Sequence, residues 1–350
     1  MPARPQPATA RFTPRDSPTA SRFTSLQLTY SPERPLFAAA ATPVESGNGD
    51  SAVVAVLTPF QRSGRIDYAA LTDYLQMLAS AGVGTILVNG TSAEFAGLTS
   101  DERRSVVEHC RSEWVGTVIA HVGSTAVADV RAAARHAEEP ADAVAVVAPY
   151  FFAEAPESGV EQFFRQAMTG IELPWLVYNF PRHTGNPVRP AVVARLAGEF
   201  PQLVGIKDSG KDLAVARAYK TGCPRLSVLV GDDRAAARLA ALGLDGVVTG
   251  AGGPVAELPV TITAAARAGD EASARSWQRV FDTYSDTRKA MGLSDIAFAK
   301  AAAATRLPGF PLRVRAPLTG VDEQQRTRIE RFLRTQTLPA IDALRVDTPH

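Results

Sequence analysis

The chain has little lysine, little cysteine, no excess of either charge and no long hydrophobic run. Its 37 basic residues face 36 acidic ones, a formal net charge of +1 over 350 residues. With no surplus of either sign, no global field gathers nucleic acid or an anionic membrane, and a small-molecule partner becomes the expectation. Two cysteines, Cys110 and Cys223, cannot build a disulfide framework. No apolar run approaches the ~20 residues that a membrane-spanning helix needs. These absences predict a soluble protein of a reducing compartment, the cytoplasm. The shortage of lysine is the most informative, because 32 of the basic residues are arginines. The five lysines are Lys207, Lys211, Lys220, Lys289 and Lys300, few enough to weigh one by one.

What is present divides into three parts. Residues 1–50 carry eight prolines, five arginines and no sustained apolar period, too little apolar surface to offset the entropy of ordering, so they read as a disordered tail. Their Arg- and Ser/Thr-rich, acid-poor composition also has a transit-peptide flavour, and residues 36–41 a faint secretory one, against the plainer reading of a dispensable extension. From residue 51 short β-branched runs alternate with helical spacing. The runs are 52–57, 84–89, 117–122, 142–148, 175–179, 203–207, 226–230 and 245–249. They are nearly continuous apolar segments, as strands buried on both faces of a parallel sheet are. Asp67 reads as an N-cap before Leu71, Leu75 and Leu78, and Thr99 with Glu102 as a capping box.

Eight strand–helix units over residues 51–265 predict an α/β fold, a (β/α)8 TIM barrel, which typically needs ~250 residues. A doubly wound open sheet would want a Gly-rich turn after its first strand, where this chain has Thr58-Pro59-Phe60. Residues 266–350 contain no convincing strand and read as a C-terminal extension of about three helices rich in Ala and Arg.

In such a barrel the chemistry sits at the carboxyl ends of the strands. Lys207 alone among the lysines closes an apolar strand, after Leu203-Val204-Gly205-Ile206. Desolvation disfavours an ammonium there and supplies the neutral amine that attacks a carbonyl to form a Schiff base. The plainer reading is a lysine paired with Asp208 or Asp233, or one snorkelling at the rim. Tyr178 ends the preceding strand and can both donate and accept a proton, although a lone tyrosine there is more often a core residue. Gly90-Thr91-Ser92 offers consecutive backbone N–H groups ahead of a helix, a place for a carboxylate, although such turns are also common punctuation.

Gly90-Thr91-Ser92-Ala93-Glu94 with Leu98-Thr99 and Glu102-Arg103, then Tyr178-Asn179-Phe180-Pro181 with Thr184-Gly185, then Gly205-Ile206-Lys207-Asp208 together resemble the dihydrodipicolinate synthase / N-acetylneuraminate lyase family. The resemblance runs from about residue 51 to 333. It implies a metal-independent class I lyase without a cofactor, usually a homotetramer or dimer, that binds pyruvate or a related 2-oxo acid as an imine. Lys207 would be the Schiff-base lysine and Tyr178 the proton relay, with Thr91 and Ser92 on the carboxylate. His183, Gly231, Asp233 and Val248 would be further substrate-binding residues.

The departures bear on that second substrate. Where dihydrodipicolinate synthases carry an arginine for a distal carboxylate this chain has His183, and where they carry a tyrosine donated across a subunit interface it has Phe151. An imidazole replaces a bidentate guanidinium poorly, so lysine biosynthesis becomes the runner-up. His121-Val122-Gly123 is similar to the sialic acid lyase branch, and Tyr178-Asn179-Phe180-Pro181 to aldolases of 2-keto-3-deoxy sugar acids. Against sialic acid itself, Arg234 stands where that branch carries an acid. Ala93 replaces a glycine of the carboxylate turn, which suggests a reshaped turn. The run Gly250-Ala251-Gly252-Gly253 suggests room for a larger substrate or a phosphate. A divalent-metal site from His121, His183, Asp232 and Asp233 would give a class II aldolase, but these residues lack ligand spacing. A catalytically silent barrel is the remaining alternative, and the presence of Lys207 and Tyr178 argues against it. His109, His136 and His350 read as surface or structural histidines. The expectation is therefore a Schiff-base aldolase acting on a 2-keto-3-deoxy sugar acid or similar 4-hydroxy-2-oxo acid.

Overall fold

The computed structural model describes residues 51–346, so the disordered tail expected over 1–50 and His350 lie outside the described residues. Eight strands close into one all-parallel barrel in chain order. They are β1 (Ala52–Ala55), β2 (Thr85–Val88), β3 (Thr117–His121), β4 (Ala143–Val147), β5 (Trp175–Asn179), β6 (Leu203–Asp208), β7 (Ser227–Val230) and β8 (Gly246–Thr249). Each lies within a few residues of an apolar run in the sequence. The helices of the barrel are α1 (Tyr68–Ser80), α2 (Ser100–Glu113), α3 (Val127–Ala137), α4 (Glu157–Met168), α5 (Pro181–Thr184), α6 (Pro190–Glu199), α7 (Leu213–Gly222) and α8 (Glu257–Arg267). Between β7 and β8 the chain makes only short 3₁₀ turns, Asp233–Arg238 and Ala240–Leu242.

Both helix starts read from the sequence are capped as expected. Asp67 accepts the N–H of Ala70 at 3.2 Å. Thr99 accepts the N–H of Glu102 at 3.2 Å while Glu102 accepts that of Thr99 at 2.9 Å, closing a capping box.

Inside the barrel Val53, Ala55, Leu87, Ile119, Ala143, Ala145, Leu176, Leu229 and Val248 form one cluster, and a larger cluster fills the space between strands and helices. After α8 follow α9 (Glu271–Ala290), α10 (Asp295–Arg306), α11 (Glu323–Phe332) and α12 (Leu338–Val346). The last two join through a π-helical turn over Leu333–Thr337, so the expected three helices become three rods, one of them broken into two named helices. Helix α9 reaches the barrel mouth, where the Tyr284 hydroxyl donates to the Ala251 carbonyl at 2.6 Å. No described helix is long and apolar enough to cross a membrane.

One irregularity decides what the mouth contains. The pairing of β5 with β6 shifts register, Trp175 lying opposite Leu203 but Leu176 opposite Gly205. Leu203 and Ile206, three residues apart, both pack outward against helices, whereas Val204 packs on the interior cluster. In a regular strand Lys207 would share the outward face of Leu203, because side chains alternate with period two. The one-residue bulge reverses that parity, so Lys207 stands opposite Tyr178 and inside the barrel. Gly205 makes this possible, since a Cβ there would lie 2.7 Å from the Ser227 carbonyl and 3.2 Å from Leu176. Gly205→Ala should therefore cost about 1–3 kcal/mol of stability in chemical denaturation and change the reactivity of Lys207 in a lysine-labelling assay; unchanged values of both would contradict this account of the bulge.

Candidate active site

Lys207 reaches the mouth from β6 and is 5% exposed. Its Nζ lies over the ring of Tyr178, 3.8 Å from the centroid. The partners considered for it from the sequence are taken elsewhere. Asp208 accepts from Asn179 Nδ2 at 2.7 Å and from the N–H of Gly210 at 3.0 Å, and Asp233 accepts from the Thr249 hydroxyl at 2.6 Å. Burial pushes the carboxyls of both Asp208 and Asp233 up from the usual carboxylate value. Among the described residues no hydrogen bond or ion pair ties down the Lys207 amine.

The phenol of Tyr178 is buried, and its hydroxyl shares a hydrogen bond with Thr91 Oγ1 at 3.2 Å. Thr91 opens a 3₁₀ turn, Thr91–Ala93, immediately after β2. Lysine, tyrosine and threonine thus converge from three strand ends, as the sequence predicts. Ala93 itself needs no left-handed conformation, which falls on the next residue, Glu94, at φ 59°. Ser92 packs on the end of β8, where a Cβ at Gly250 would collide with its Oγ.

His121 completes the wall. Its ring meets Tyr178 edge-on at 5.8 Å and Phe95 at 4.5 Å. Nδ1 lies 2.8 Å from the Asn89 carbonyl, which can only accept, so the proton sits on Nδ1 and Nε2 is an acceptor without a partner among the described residues. Burial first, then the charges of Arg103 and Lys207, holds its pKa well below the ordinary histidine value, so the ring is neutral. Gly123 leaves room for it, a Cβ there lying 2.7 Å from Nε2. Arg103 donates to the carbonyls of His121 and Gly123 at 2.8 and 3.0 Å and fixes this corner. The sequence offers His121 as part of a family likeness and as a candidate metal ligand; its apolar neighbours give no hint that Phe95 and Tyr178 enclose the ring.

Asn179 and Asp208, which follow Tyr178 and Lys207, hold the two strand ends together, and Asn179 Oδ1 also accepts the N–H of Val188 at 3.0 Å. Farther round the mouth, the Gly252 N–H donates to Thr249 Oγ1 at 3.0 Å and the hydroxyl passes the chain on to Asp233. Val248 belongs to the interior cluster. Gly231 receives Ser209, which a Cβ would displace. His183 lies on the exposed side of α5 against Phe180, with ring centroids 4.1 Å apart. Desolvation on that packed face, and after it the charge of Arg182, lowers its pKa.

One expectation needs correction. The glycines after β8 do not open space for a large substrate or a phosphate: they admit protein atoms, Gly250 taking Ser92, Gly252 taking Thr249 and the Phe281 ring, and Gly253 taking the Tyr74 hydroxyl. Lys207 is not alone in being buried: Lys300 on α10 is 0% exposed. Arg234 turns to α9, pairing with Asp286 and lying 3.7 Å from Asp282. Among the described residues no three of His, Cys, Asp and Glu gather as metal ligands would. Cys110 is buried, which pushes its thiol up to about 12, and neither cysteine is paired.

A closed eightfold barrel with a lysine and a tyrosine abreast on β5 and β6 and a Thr-Ser turn after β2 defines the class of protein. A model of the dihydrodipicolinate synthetase family matches residues 49–336, and the chain belongs to that family. It is 33% identical over 295 residues to an uncharacterized DapA-like lyase of Halobacterium salinarum, covering 81% of this chain and 94% of the relative. It is 32% identical over 241 residues to the 2-dehydro-3-deoxy-D-gluconate/2-dehydro-3-deoxy-phosphogluconate aldolase of Thermoproteus tenax, covering 69% and 77%. Among solved structures, that of YagE, a prophage protein of the dihydrodipicolinic acid synthase family from E. coli K12 in complex with pyruvate, superposes with a TM-score of 0.77 at 25% identity, covering 82% of this chain and 98% of that one.

The close approach of Gly250 to Ser92 makes a prediction independent of substrate. Gly250→Ala should lose about 1–3 kcal/mol in chemical denaturation and turn the Ser92 side chain to another rotamer in a crystal structure; an unmoved serine would show that the mouth is less tightly closed than described.

Proposed function

We propose that the chain is a Schiff-base-forming carbon–carbon lyase that cleaves or forms a 2-keto-3-deoxy sugar acid or a similar 4-hydroxy-2-oxo acid through a pyruvate imine, with no cofactor. The observation that carries this reading is the buried Lys207 amine, bound to no carboxylate among the described residues and set against a tyrosine whose hydroxyl is joined to Thr91. Thr91 and Ser92 hold the carboxylate of the 2-oxo acid. Lys207 Nζ adds to the C2 carbonyl and water leaves, giving a protonated imine. In the cleavage direction Tyr178 takes the proton of the C4 hydroxyl, the C3–C4 bond breaks, and its electron pair passes into the imine. An aldehyde departs and an enamine of pyruvate stays on Lys207; protonation at C3 and hydrolysis release pyruvate.

Support for a sugar-acid partner comes from the absence of an arginine at position 183, from the side-on, exposed placement of His183, and from the likeness to the Thermoproteus aldolase. Asp233, Thr249 and the Gly252 amide, linked round the mouth, suit a polyhydroxylated chain better than a second carboxylate. We place the protein in the cytoplasm, consistent with its two unpaired cysteines, and as a homo-oligomer, dimer or tetramer. Phe151 and Phe152, beside the mouth after β4, are 84% and 77% exposed and pack edge to face at 5.3 Å. Two such rings left in water mark an interaction surface, which this reading assigns to another subunit.

Borohydride reduction in the presence of pyruvate should add one reduced three-carbon unit at Lys207, detected by peptide mass, and Lys207→Ala should abolish it. A wild-type protein left unmodified would refute the mechanism. Tyr178→Phe should still trap pyruvate but lose about 10²–10⁴-fold in turnover of a 4-hydroxy-2-oxo acid. Turnover of pyruvate with aspartate semialdehyde, but with no sugar-derived aldehyde, would instead assign dihydrodipicolinate synthase activity. Sedimentation of Phe151→Asp should give a smaller species than the wild type.

A further inference from the structure

The second buried lysine has no role in the reaction just described. Lys300 sits in the middle of α10, fully enclosed, and its Nζ donates to Glu94 Oε1 at 2.5 Å and to the Arg313 carbonyl at 2.7 Å. Glu94 Oε2 accepts the backbone N–H of Arg315 at 2.7 Å. Nζ also lies over the ring of Phe60, 4.3 Å from its centroid, and the Arg315 guanidinium over the same ring at 4.4 Å. That guanidinium is held in turn by both oxygens of Glu102, at 2.5 and 2.7 Å, and by the Gly97 carbonyl at 2.7 Å. The whole span between β2 and α2 is therefore fastened from outside by α10 and the segment that follows it.

Burying an ion pair costs desolvation that its attraction seldom repays, so such a pair is weak evidence of a contribution to stability. What this one does hold is a particular backbone. Glu94 is the left-handed residue that ends the Thr91–Ala93 turn, and its N–H donates to the Thr91 carbonyl at 3.0 Å. The Thr91 hydroxyl in turn meets the Tyr178 phenol at 3.2 Å. We propose that Lys300, through its ion pair with Glu94, is a positioning residue that sets the carboxylate-binding turn and the Thr91–Tyr178 hydrogen bond, and that loss of its proton loosens that turn. The inference rests on the reading of Thr91 and Tyr178 given under the proposed function.

The groups facing the Lys300 amine are Glu94 from the turn, Arg315 and the Arg313 carbonyl from the segment after α10, and the Phe60 ring from the loop after β1. Burial, partly opposed by Glu94, lowers its pKa from 10.5 to about 8. Above that pH the neutral amine no longer balances the buried carboxylate. The effect on stability has the opposite sign: between about 8 and 10.5 the unfolded chain binds more protons at this group than the folded one, so the group raises stability as the pH rises. Activity lost over that window through Lys300 is not activity lost to unfolding.

The test is pyruvate-dependent borohydride trapping at Lys207 in the full chain, at pyruvate concentrations spanning saturation and on either side of pH 8. Lys300→Met should raise the pyruvate concentration for half-maximal trapping about a hundredfold. Glu94→Gln/Lys300→Met, which removes both charges, should recover most of that loss and remove the weakening that the wild type shows above pH 8. Arg306→Met, on the same helix but paired with Glu257, should lower the melting temperature without moving the pyruvate dependence. A folded Lys300→Met with wild-type affinity and pH profile overturns the inference. Should that variant fail to fold, the double variant decides: a flat profile supports the proposal, and an alkaline loss like that of the wild type overturns it. A wild type that traps no pyruvate refutes the Schiff-base reading itself and this inference with it, whereas trapping with unmoved variants refutes this inference alone.

Discussion

The placement of one amine inside the barrel depends on a single extra residue in β6. Side chains alternate along a strand, so a segment that begins with an outward Leu203 would send its fifth residue outward as well. The bulge between Leu203 and Gly205 changes that parity, and Gly205 lets the strand approach the Ser227 carbonyl closely enough for the barrel to stay closed. Every property argued for Lys207, from its desolvation to its position over Tyr178, follows from that local event. Asn179 and Asp208 then secure the result by joining the two strand ends.

Around this centre, electrostatics and close packing divide the work. Among the described residues no carboxylate neutralises Lys207, and Asp208 and Asp233 are engaged by an amide and a hydroxyl. His121 stays neutral because its burial and the nearby cations disfavour a further charge. The glycines at 123, 231, 250 and 252 mark places where a side chain of the site presses on a neighbouring backbone. They are spacers for protein atoms. Rigid support of this kind keeps reacting groups within the small displacements that catalysis tolerates.

The C-terminal helices belong to the same economy of space. Helix α9 reaches Ala251 and Arg234, while α10 sends Lys300 beneath the Thr91–Ala93 turn. The barrel mouth is thus built partly from residues two hundred positions away from the strands they support. In the sequence α10 is a run of alanines with one lysine among them, and helical spacing alone says nothing about what that lysine meets.

The sequence by itself determined the eight strands, the capped helices and the three strand-end motifs, because those signals are local: apolar runs, capping side chains and residues adjacent in the chain. It also singled out Lys207, since so few lysines compete for attention. Only the tertiary structure decided which way Lys207 points, what His121 leaves unpaired, what the small residues after β8 make room for, and that Lys300 is buried on Glu94. Each of these depends on strand register or on contacts between distant segments, and neither composition nor periodicity encodes the distance between residues far apart in the chain.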